Sequence, residues 1–437
     1  MTIAIIPARG DSKGIRRKNV LSICGKPLLA WSILAAKRAS TVDAVFVSTD
    51  DPEIAQMAAA HGAGVIWRPA ELAGDTASSE SALLHAVEEV QRLEISDGDR
   101  KLRSCDDGRS EMEVRGAAGS GKEPISNIQY PISKIPRPWR NDDILVFLQC
   151  TSPLTTGADI DAVVERLVAD KADSALSVTD FHYFLWKTGE DGAEAINHDK
   201  RFRPRRQDRE PQFVENGAVY AMRIPGFLEA RHRFFGKTVF HAMPRERCWE
   251  IDEPVDFAIA EILLRKRLQA EQAAQLPETI GAVVFDFDGV LTDDRVLTSQ
   301  DRSEAVFCTR KDGMGIRHLQ EAGIPVLILS SEENPVVKAR AAKLKVEVIH
   351  GSLDKAPLLA EWAAKQGIDL QSVVYVGNDI NDIGPMKIVG CPIAVADAHP
   401  EVKPHALIVL EKNGGDGAAR ELSDMILARK ACANSSK

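Results

Sequence analysis

Short apolar runs recur along the chain, each ending in a polar or charged turn, and several are followed by stretches with helical spacing. Ile3–Ile6, Ala44–Ser48 and Ile144–Leu148 are continuous aliphatic or aromatic runs, the pattern of strands covered on both faces. Glu53–His61 reads as a helix, and Ser79–Leu93 repeats its apolar positions about every 3.6 residues. This alternation predicts a parallel, doubly wound sheet with ligands at the carboxyl ends of its strands. Residues 96–140 break the pattern. Within them Asp97–Pro124 is polar, Gly-rich and of mixed charge, which predicts a loosely ordered insertion. A helix from about Val255 to Ala274 closes the first domain, taken as 1–267, and a polar linker is expected at 268–279. From Ile280 a second set of apolar runs begins, at Ala282–Phe285, Pro325–Leu329, Val346–Ile349 and Val373–Val376, alternating with helical patterns. The fold class expected is therefore α/β, two doubly wound parallel-sheet domains, the second at 280–437.

Length and charge narrow the classes of function. A chain of 437 residues exceeds one ordinary core, and its 44% hydrophobic and 27% charged composition is globular. Its formal net charge of −9 disfavours a general nucleic-acid binder. Seven scattered cysteines without a CxxC pair fit a reducing cytoplasm and argue against zinc ribbons and disulfide scaffolds. Ile3–Ile6 is too short for a signal peptide or membrane span. The expectation is a cytoplasmic protein with no nucleic-acid or membrane partner.

Two motifs carry candidate chemistry. The first apolar run passes at Pro7 into a loop holding Arg9, Lys13, Arg16, Arg17 and Lys18 against a lone Asp11. Gly10 and Gly14 let its backbone N–H groups turn inward, as in a phosphate cradle. No Gly-Lys-Ser/Thr closes it, so it is not a Walker loop. The second motif is VVFDFDGVLTDD at 283–294. Asp286 and Asp288 flank Phe287 at the end of a buried strand, where alternate side chains share a side. Unpaired buried carboxylates are costly, so the pair points to a site that gathers a cation and a phosphate. Further along, Glu250 and Asp252 offer two more carboxylates to a hard cation.

The opening IAIIPARGDSKGIRRKN resembles the signature loop of the N-acylneuraminate cytidylyltransferases. Further blocks follow in that family's order, among them WRPAELAGDTASS at 67–79, FLQCTSPLTTGADI at 147–160, RRQDREPQFVENGAVYAM at 205–222 and CWEIDEPVDF at 248–257. The resemblance implies transfer of CMP from CTP to the anomeric hydroxyl of a nonulosonate sugar acid, with release of pyrophosphate. It places the triphosphate on Arg9, Lys13 and Lys18, with Asn19 among the binding residues, and Mg²⁺ on Glu250 and Asp252. Arg68, Gln149, Thr151 and Ser152 fall near base, ribose and sugar. Lys187, Arg206, Gln207, Tyr220, Phe234 and Phe235 fall around the acid sugar, with plain core packing an equal reading for the two phenylalanines. The family's sugar pocket borrows from a second subunit, so a dimer is expected. Thr155 stands where relatives usually have Arg, and Cys150 where Pro is usual.

The second motif resembles motif one of the haloacid dehalogenase superfamily. That implies Asp286 as nucleophile, Asp288 as general acid and base, Ser330 as motif two and Lys355 as motif three. Motif four is GNDIND at 377–382, with Asn378 where Asp is frequent. It leaves Asp379 and Asp382 as candidates, and Asp379 joins Asp286 and Asp288 as the expected Mg²⁺ ligands. The short span between motifs one and two leaves no room for a large cap, and capless members often form tetramers. RKDGMGI at 310–316 and GGDGAARE at 414–421 resemble the 3-deoxy-octulosonate 8-phosphate phosphatases, which implies Arg420 near the active site. Together the resemblances imply a bifunctional homodimer or homotetramer acting on CTP and a nonulosonate or its 9-phosphate. The alternatives are a second domain serving only oligomerisation, and an octulosonate as the sugar.

Overall fold

The computed structural model describes residues 1–10, 14–74, 77–92 and 138–435, with side chains through 431. Lys13, and the expected insertion as far as residue 137, lie outside the described residues. The chain forms two compact units, residues 1–265 and 266–437.

The first unit runs β1 (Thr2–Pro7), a small ribbon of β2 (Ser22–Ile23) and β3 (Lys26–Pro27), α1 (Leu28–Arg38), β4 (Ala44–Thr49), α2 (Pro52–Ala60), β5 (Gly64–Trp67) and α3 (Ser79–Arg92). It continues with β6 (Ile144–Leu148), α4 (Gly157–Ala169), β7 (Ser174–Phe181), a hairpin of β8 (Trp186–Gly189) and β9 (Gly192–Ala195), β10 (Gln212–Arg223), α5 (Ile224–Ala230), β11 (Thr238–Ala242) and α6 (Pro254–Ala274). Residues 268–274 of the expected linker are thus helical. The main sheet has the order β11-β7-β10-β6-β1-β4-β5. It is not wholly parallel, because β10 returns from the β8–β9 excursion and pairs antiparallel with both β6 and β7. Strand β1 alternates as a doubly covered strand must. Ile3 and Ile5 pack in one cluster with Leu83, Val87 and Phe147. Ala4 and Ile6 pack in the other with Leu29, Ile33 and Val164. Strand order reverses between β1 and β6, so their carboxyl ends open the crevice where ligands bind in such sheets.

The second unit contains β12 (Ala282–Phe285), a hairpin of β13 (Thr292–Thr298) and β14 (Glu304–Cys308), α7 (Arg310–Glu321), β15 (Val326–Leu329), α8 (Val336–Leu344), β16 (Glu347–Ile349) and α9 (Lys355–Gln366). It ends with β17 (Val373–Gly377), α10 (Ile383–Met386), β18 (Cys391–Ala394), β19 (Ile408–Val409) and α11 (Ala418–Ser435). All neighbours in the sheet β16-β15-β12-β17-β18-β19 are parallel. Its switch point lies between β12 and β17, which ends in Gly377 before Asn378 and Asp379. No helix of the described residues is long and apolar enough to cross a membrane.

Candidate active sites

At the β1/β6 switch point a cavity of about 570 Å³ is lined by Arg9, Gly14, Lys18, Asn19, Arg68, Cys150, Thr151 and Asp252, among others. The loop after β1 is built around close contacts. Gly10 N–H donates to Asp50 Oδ1 at 3.1 Å. A Cβ on Gly14 would stand 2.2 Å from the Asp252 carbonyl oxygen, so only glycine lets the loop close on the acidic segment. Arg17 adopts the left-handed conformation and turns away to Asp51, which also caps α2. Lys18 points the other way. Its ammonium donates to the Ile251 carbonyl and sits 3.2 Å from Asp252 Oδ1. Of the loop's cations, therefore, Arg9 and Lys18 face the cavity while Arg17 is committed to structure.

The floor is a chain of hydrogen bonds. Asn19 Nδ2 donates to the Arg9 carbonyl at 3.0 Å, and the Cys150 thiol donates to Asn19 Oδ1 at 2.9 Å. Burial pushes that thiol up to about 11. Arg68 is held by the Ser48 carbonyl at 2.6 Å and by Ser48 Oγ at 3.2 Å, and burial lowers its pKa. Thr151 Oγ1 bridges Gln149 Oε1 and Glu250 Oε1 at 3.2 and 3.1 Å. Burial, then the neighbouring Asp252, raises the Glu250 carboxyl. Among the described residues Ser152 Oγ is buried without a partner.

The residues expected around the acid sugar divide. Tyr220 is buried, stacks on Phe147 at 5.2 Å and donates to Glu215, and its pKa is raised by burial and that bond. Phe234 and Phe235 pack against the same apolar cluster. Arg233, which the sequence reading missed, lies over both the Phe147 and Tyr220 rings and pairs with Glu80 at 2.7 Å. None of these lines the 570 Å³ cavity. Lys187 stands on the exposed β8–β9 hairpin, paired with Glu194 at 3.2 Å. Arg206 lines a different cavity of about 550 Å³, with His182, Tyr183, Trp186, His198 and Arg209. Gln207 is exposed beside it. Within one chain, Lys187, Arg206 and Gln207 are not brought to the cavity of Lys18 and Asp252.

In the second unit the motif residues converge. Lys355, at the first turn of α9, is 1% exposed. Its ammonium lies 2.7 Å from Asp286 Oδ1 and 2.7 Å from Asp382 Oδ1. Tyr375 Oη donates to the same Asp382 oxygen at 2.6 Å. Asp382 Oδ2 accepts the N–H groups of Asn378 and Asp379 at 2.8 and 3.2 Å. Both Asp382 oxygens are spent, so Asp382 is an anchor for Lys355 and for the motif-four loop. That leaves Asp379, exposed at the loop tip and capping the next turn through Ile380 N–H. Burial, then Asp382, raises the Asp286 carboxyl well above the usual range despite Lys355. Burial works against the Lys355 ammonium, but Asp286 and Asp382 outweigh it and hold its pKa up. Asp288 is pushed up to about 6 by burial, Glu332 and Asp294. Ser330 is buried at the end of β15, where its Oγ accepts from Glu332 N–H at 3.0 Å. Arg420 begins α11 and pairs with Asp424 rather than with a motif residue. Tyr375 escaped the sequence reading, because a tyrosine inside an apolar strand reads as core.

Both sites offer hard oxygen donors of the kind that suit Mg²⁺. In the second unit one buried cation faces two buried carboxylates, and among the described residues the Asn378 amide oxygen is buried without a partner. In the first, burial and then the nearby Asp252 raise the Glu250 carboxyl. Among the described residues no group of three or more His, Cys, Asp or Glu side chains is arranged to hold a metal ion, so protein carboxylates alone would not enclose one.

A cytidylyltransferase family model matches residues 3–92, and a haloacid dehalogenase-like hydrolase model matches residues 328–422. The N-acylneuraminate cytidylyltransferase of Oncorhynchus mykiss is 30% identical over 440 residues, covering 99% of this chain and 90% of the relative. The 3-deoxy-D-manno-octulosonate 8-phosphate phosphatase KdsC of Haemophilus influenzae is 35% identical over 151 residues, 34% of this chain and 84% of the relative. The crystal structure of 3-deoxy-D-manno-octulosonate 8-phosphate phosphatase from Yersinia pestis is 33% identical, covers 37% of this chain and 85% of its own, and gives a TM-score of 0.35. Fold and motifs thus define a nucleotidyltransferase unit followed by a haloacid dehalogenase-type phosphatase unit. The chain belongs to the N-acylneuraminate cytidylyltransferase family, and its second unit to the 3-deoxy-octulosonate 8-phosphate phosphatase type.

Proposed function

We propose that the chain converts a nonulosonate 9-phosphate and CTP into CMP-nonulosonate, phosphate and pyrophosphate, the second unit acting first. The observation that carries this reading is the Lys355 cluster. A module serving only oligomerisation has no use for a lysine buried between two carboxylates, since desolvating such charges is expensive. Asp286 attacks phosphorus, and Asp288, near 6 and so able to hold a proton, gives it to the leaving sugar oxygen. Asp288 then takes a proton from the water that hydrolyses the aspartyl phosphate. Lys355 holds the nucleophile in place, and Ser330 and the loop N–H groups receive the phosphate. A divalent cation held by Asp286 and Asp379, with the Asn378 amide oxygen as a further donor, would supply charge against the phosphate.

In the first unit Arg9, Lys13 and Lys18 neutralise the triphosphate and hold it in line. A cation on Glu250 and Asp252 would supply charge at the α-phosphate. Arg68, Gln149 and Thr151 shape the nucleoside and sugar end. Arg206, Gln207 and Lys187 serve the pocket of a second copy, which accounts for their distance from the cavity in their own chain. Arg206 takes the sugar carboxylate, so the working form is a homo-oligomer, placed in the cytoplasm.

The test is to give the full chain a nonulosonate 9-phosphate with CTP and Mg²⁺. Wild type yields CMP-sugar, Asp286→Asn does so only from the free sugar, and Asp252→Asn releases phosphate but makes no CMP-sugar. A second unit that ignores sugar-acid phosphates while cleaving unrelated esters well would overturn the reading.

A further inference from the structure

Arg233 does not line the 570 Å³ cavity, yet its guanidinium is engaged by two rings and a carboxylate. It stands on the segment between α5 and β11, braced where Ser174 Oγ donates to the Phe235 carbonyl at 3.2 Å. Its Cζ lies 4.9 Å from the centre of the Phe147 ring and 4.7 Å from that of Tyr220. From there Nε donates to Glu80 Oε1 at 2.7 Å, and the two side chains are 15% and 16% exposed. A guanidinium suits the place, because its plane can stack on a ring face while its edge donates to a carboxylate. Burial opposes both charges, but the pair outweighs it. Arg233 holds the Glu80 carboxyl below its ordinary range, and Glu80 holds the guanidinium above its own.

Glu80 belongs to the first turn of α3, and that turn is a wall of the cavity. Ser78, Ser79 and Ala82 line it, whereas Glu80 is turned to Arg233. The body of α3 is held by apolar packing, with Leu83 and Val87 in the cluster of Phe147 and Tyr220. Such packing is not directional. The first turn has less of it, since Ser78 is exposed and Ser79, Glu80 and Ser81 are half-buried. The bonds between Ser78 and Ser81 stay within the turn. The bond to Glu80 leaves it, reaching a residue 153 positions along the chain. It fixes where the wall stands relative to the sheet.

We propose that Arg233 is a positioning residue for the nucleotide: by holding Glu80 against the Phe147–Tyr220 stack, it sets the first turn of α3 where Ser78 and Ser79 meet CTP. It acts through the helix and touches no reacting atom. The inference rests on the reading of the cavity as the CTP site.

The experiment measures CTP binding to the full chain with Mg²⁺ by calorimetry, and CMP-sugar formation from CTP and N-acetylneuraminate. Arg233→Met should weaken CTP binding on the order of tenfold and raise the KM for CTP to match, with kcat and the sugar KM changing less than about threefold. Glu80→Gln keeps the shape of the side chain and should do the same, and the double variant no more than either. Arg233→Lys keeps the cation and should recover most of the affinity. The reversed pair, Glu80→Arg with Arg233→Glu, should not, because an anion over ring faces is repelled. Hydrogen exchange should quicken in the first turns of α3 in Arg233→Met, while β1 and β6 stay protected. Unchanged CTP affinity in Arg233→Met and Glu80→Gln would overturn the positioning role. A rise in the sugar KM alone would also overturn it, because the effect would then run through Tyr220. So would loss of protection across the whole sheet, the mark of a purely structural pair. A wild type that binds no CTP would sink the reading of the cavity instead.

Discussion

Lys18 and Lys355 occupy matching places in two unrelated sites, each beside a strand-end loop and facing acids. Lys355 touches two carboxylates that are themselves buried, and a tyrosine closes the cluster from behind. Lys18 is nearly as buried, but its carboxylate partner, Asp252, is 71% exposed. The Lys355 cluster is therefore buried and formed within one unit. The transferase centre is an open cavity in which Asp252 faces solvent while Glu250 is half-buried, and the cations expected for the sugar acid lie elsewhere. One cluster is held by buried partners of its own fold, whereas the other is held by a lysine facing a solvated acid.

The strongest way to break this comparison is to remove each lysine. Lys355→Met leaves Asp286 and Asp382 buried side by side without a counter-charge. Breaking a buried pair in this manner costs about 3–5 kcal/mol, so the second unit should melt at distinctly lower temperature and phosphate release should vanish. CMP-sugar formation should persist at a temperature where both units remain folded. Lys18→Met leaves one exposed carboxylate that water can solvate and unpairs the buried Ile251 carbonyl, at a stability cost of about 1–3 kcal/mol. Its effect should fall on transferase turnover, by on the order of 10²-fold or more. Thermal unfolding followed with both assays checks the pair. Equal stability losses would mean that the two centres are not differently built.

The second test concerns completeness. Arg206→Ala should raise the KM of the sugar acid far more than that of CTP, as loss of a carboxylate clamp does. If Arg206 serves a neighbouring copy, mixing Arg206→Ala with Asp252→Asn under conditions that exchange subunits should restore part of the activity that each lacks. One class of mixed site then carries both native residues. No recovery on mixing would return Arg206 to its own chain's cavity, and the contrast between a closed and a shared site would disappear.

These sites were unequally legible in the sequence, and the reasons are physical. Ala282–Phe285 and Ile144–Leu148 are strands at the residues expected, because a strand buried on both faces needs nothing but apolar side chains. Strand β10 was not expected. Its twelve residues hold Glu215, Asn216 and Gly217 in the middle, where the register with β7 shifts. An irregular strand joining two others antiparallel has no simple period. The Asp286/Asp288 pair was visible since its chemistry is local. Lys18 and Asp252 are 234 positions apart, and only the sheet brings them together. Asp382 and Tyr375 are seven positions apart, yet the sequence could not separate Asp382 from Asp379. That choice depends on which carboxylate folds back onto loop N–H groups. Arg17 shows the converse, a cation in the right loop that structure claims for Asp51.

The smallest expected effect comes from Cys150, where this chain departs from the proline usual in the family it resembles. Its thiol is buried and pushed up to about 11, so it stays protonated at neutral pH and serves as a donor to Asn19. Asn19 in turn holds the Arg9 carbonyl, so the thiol fixes which way the amide faces. A thiol is a weak donor, and its removal leaves the Asn19–Arg9 bond intact. Cys150→Ala should therefore cost on the order of 1 kcal/mol of stability, and raise the KM for CTP within roughly tenfold, leaving the KM for the sugar nearly unchanged. The phosphatase, whose centre includes no part of this chain of bonds, should not respond. A Cys150→Ala variant that loses sugar affinity instead would place the Asn19 amide at the sugar end of the cavity. It would also show that the floor of the open site transmits further than the bonds of Asn19 and Arg9 imply.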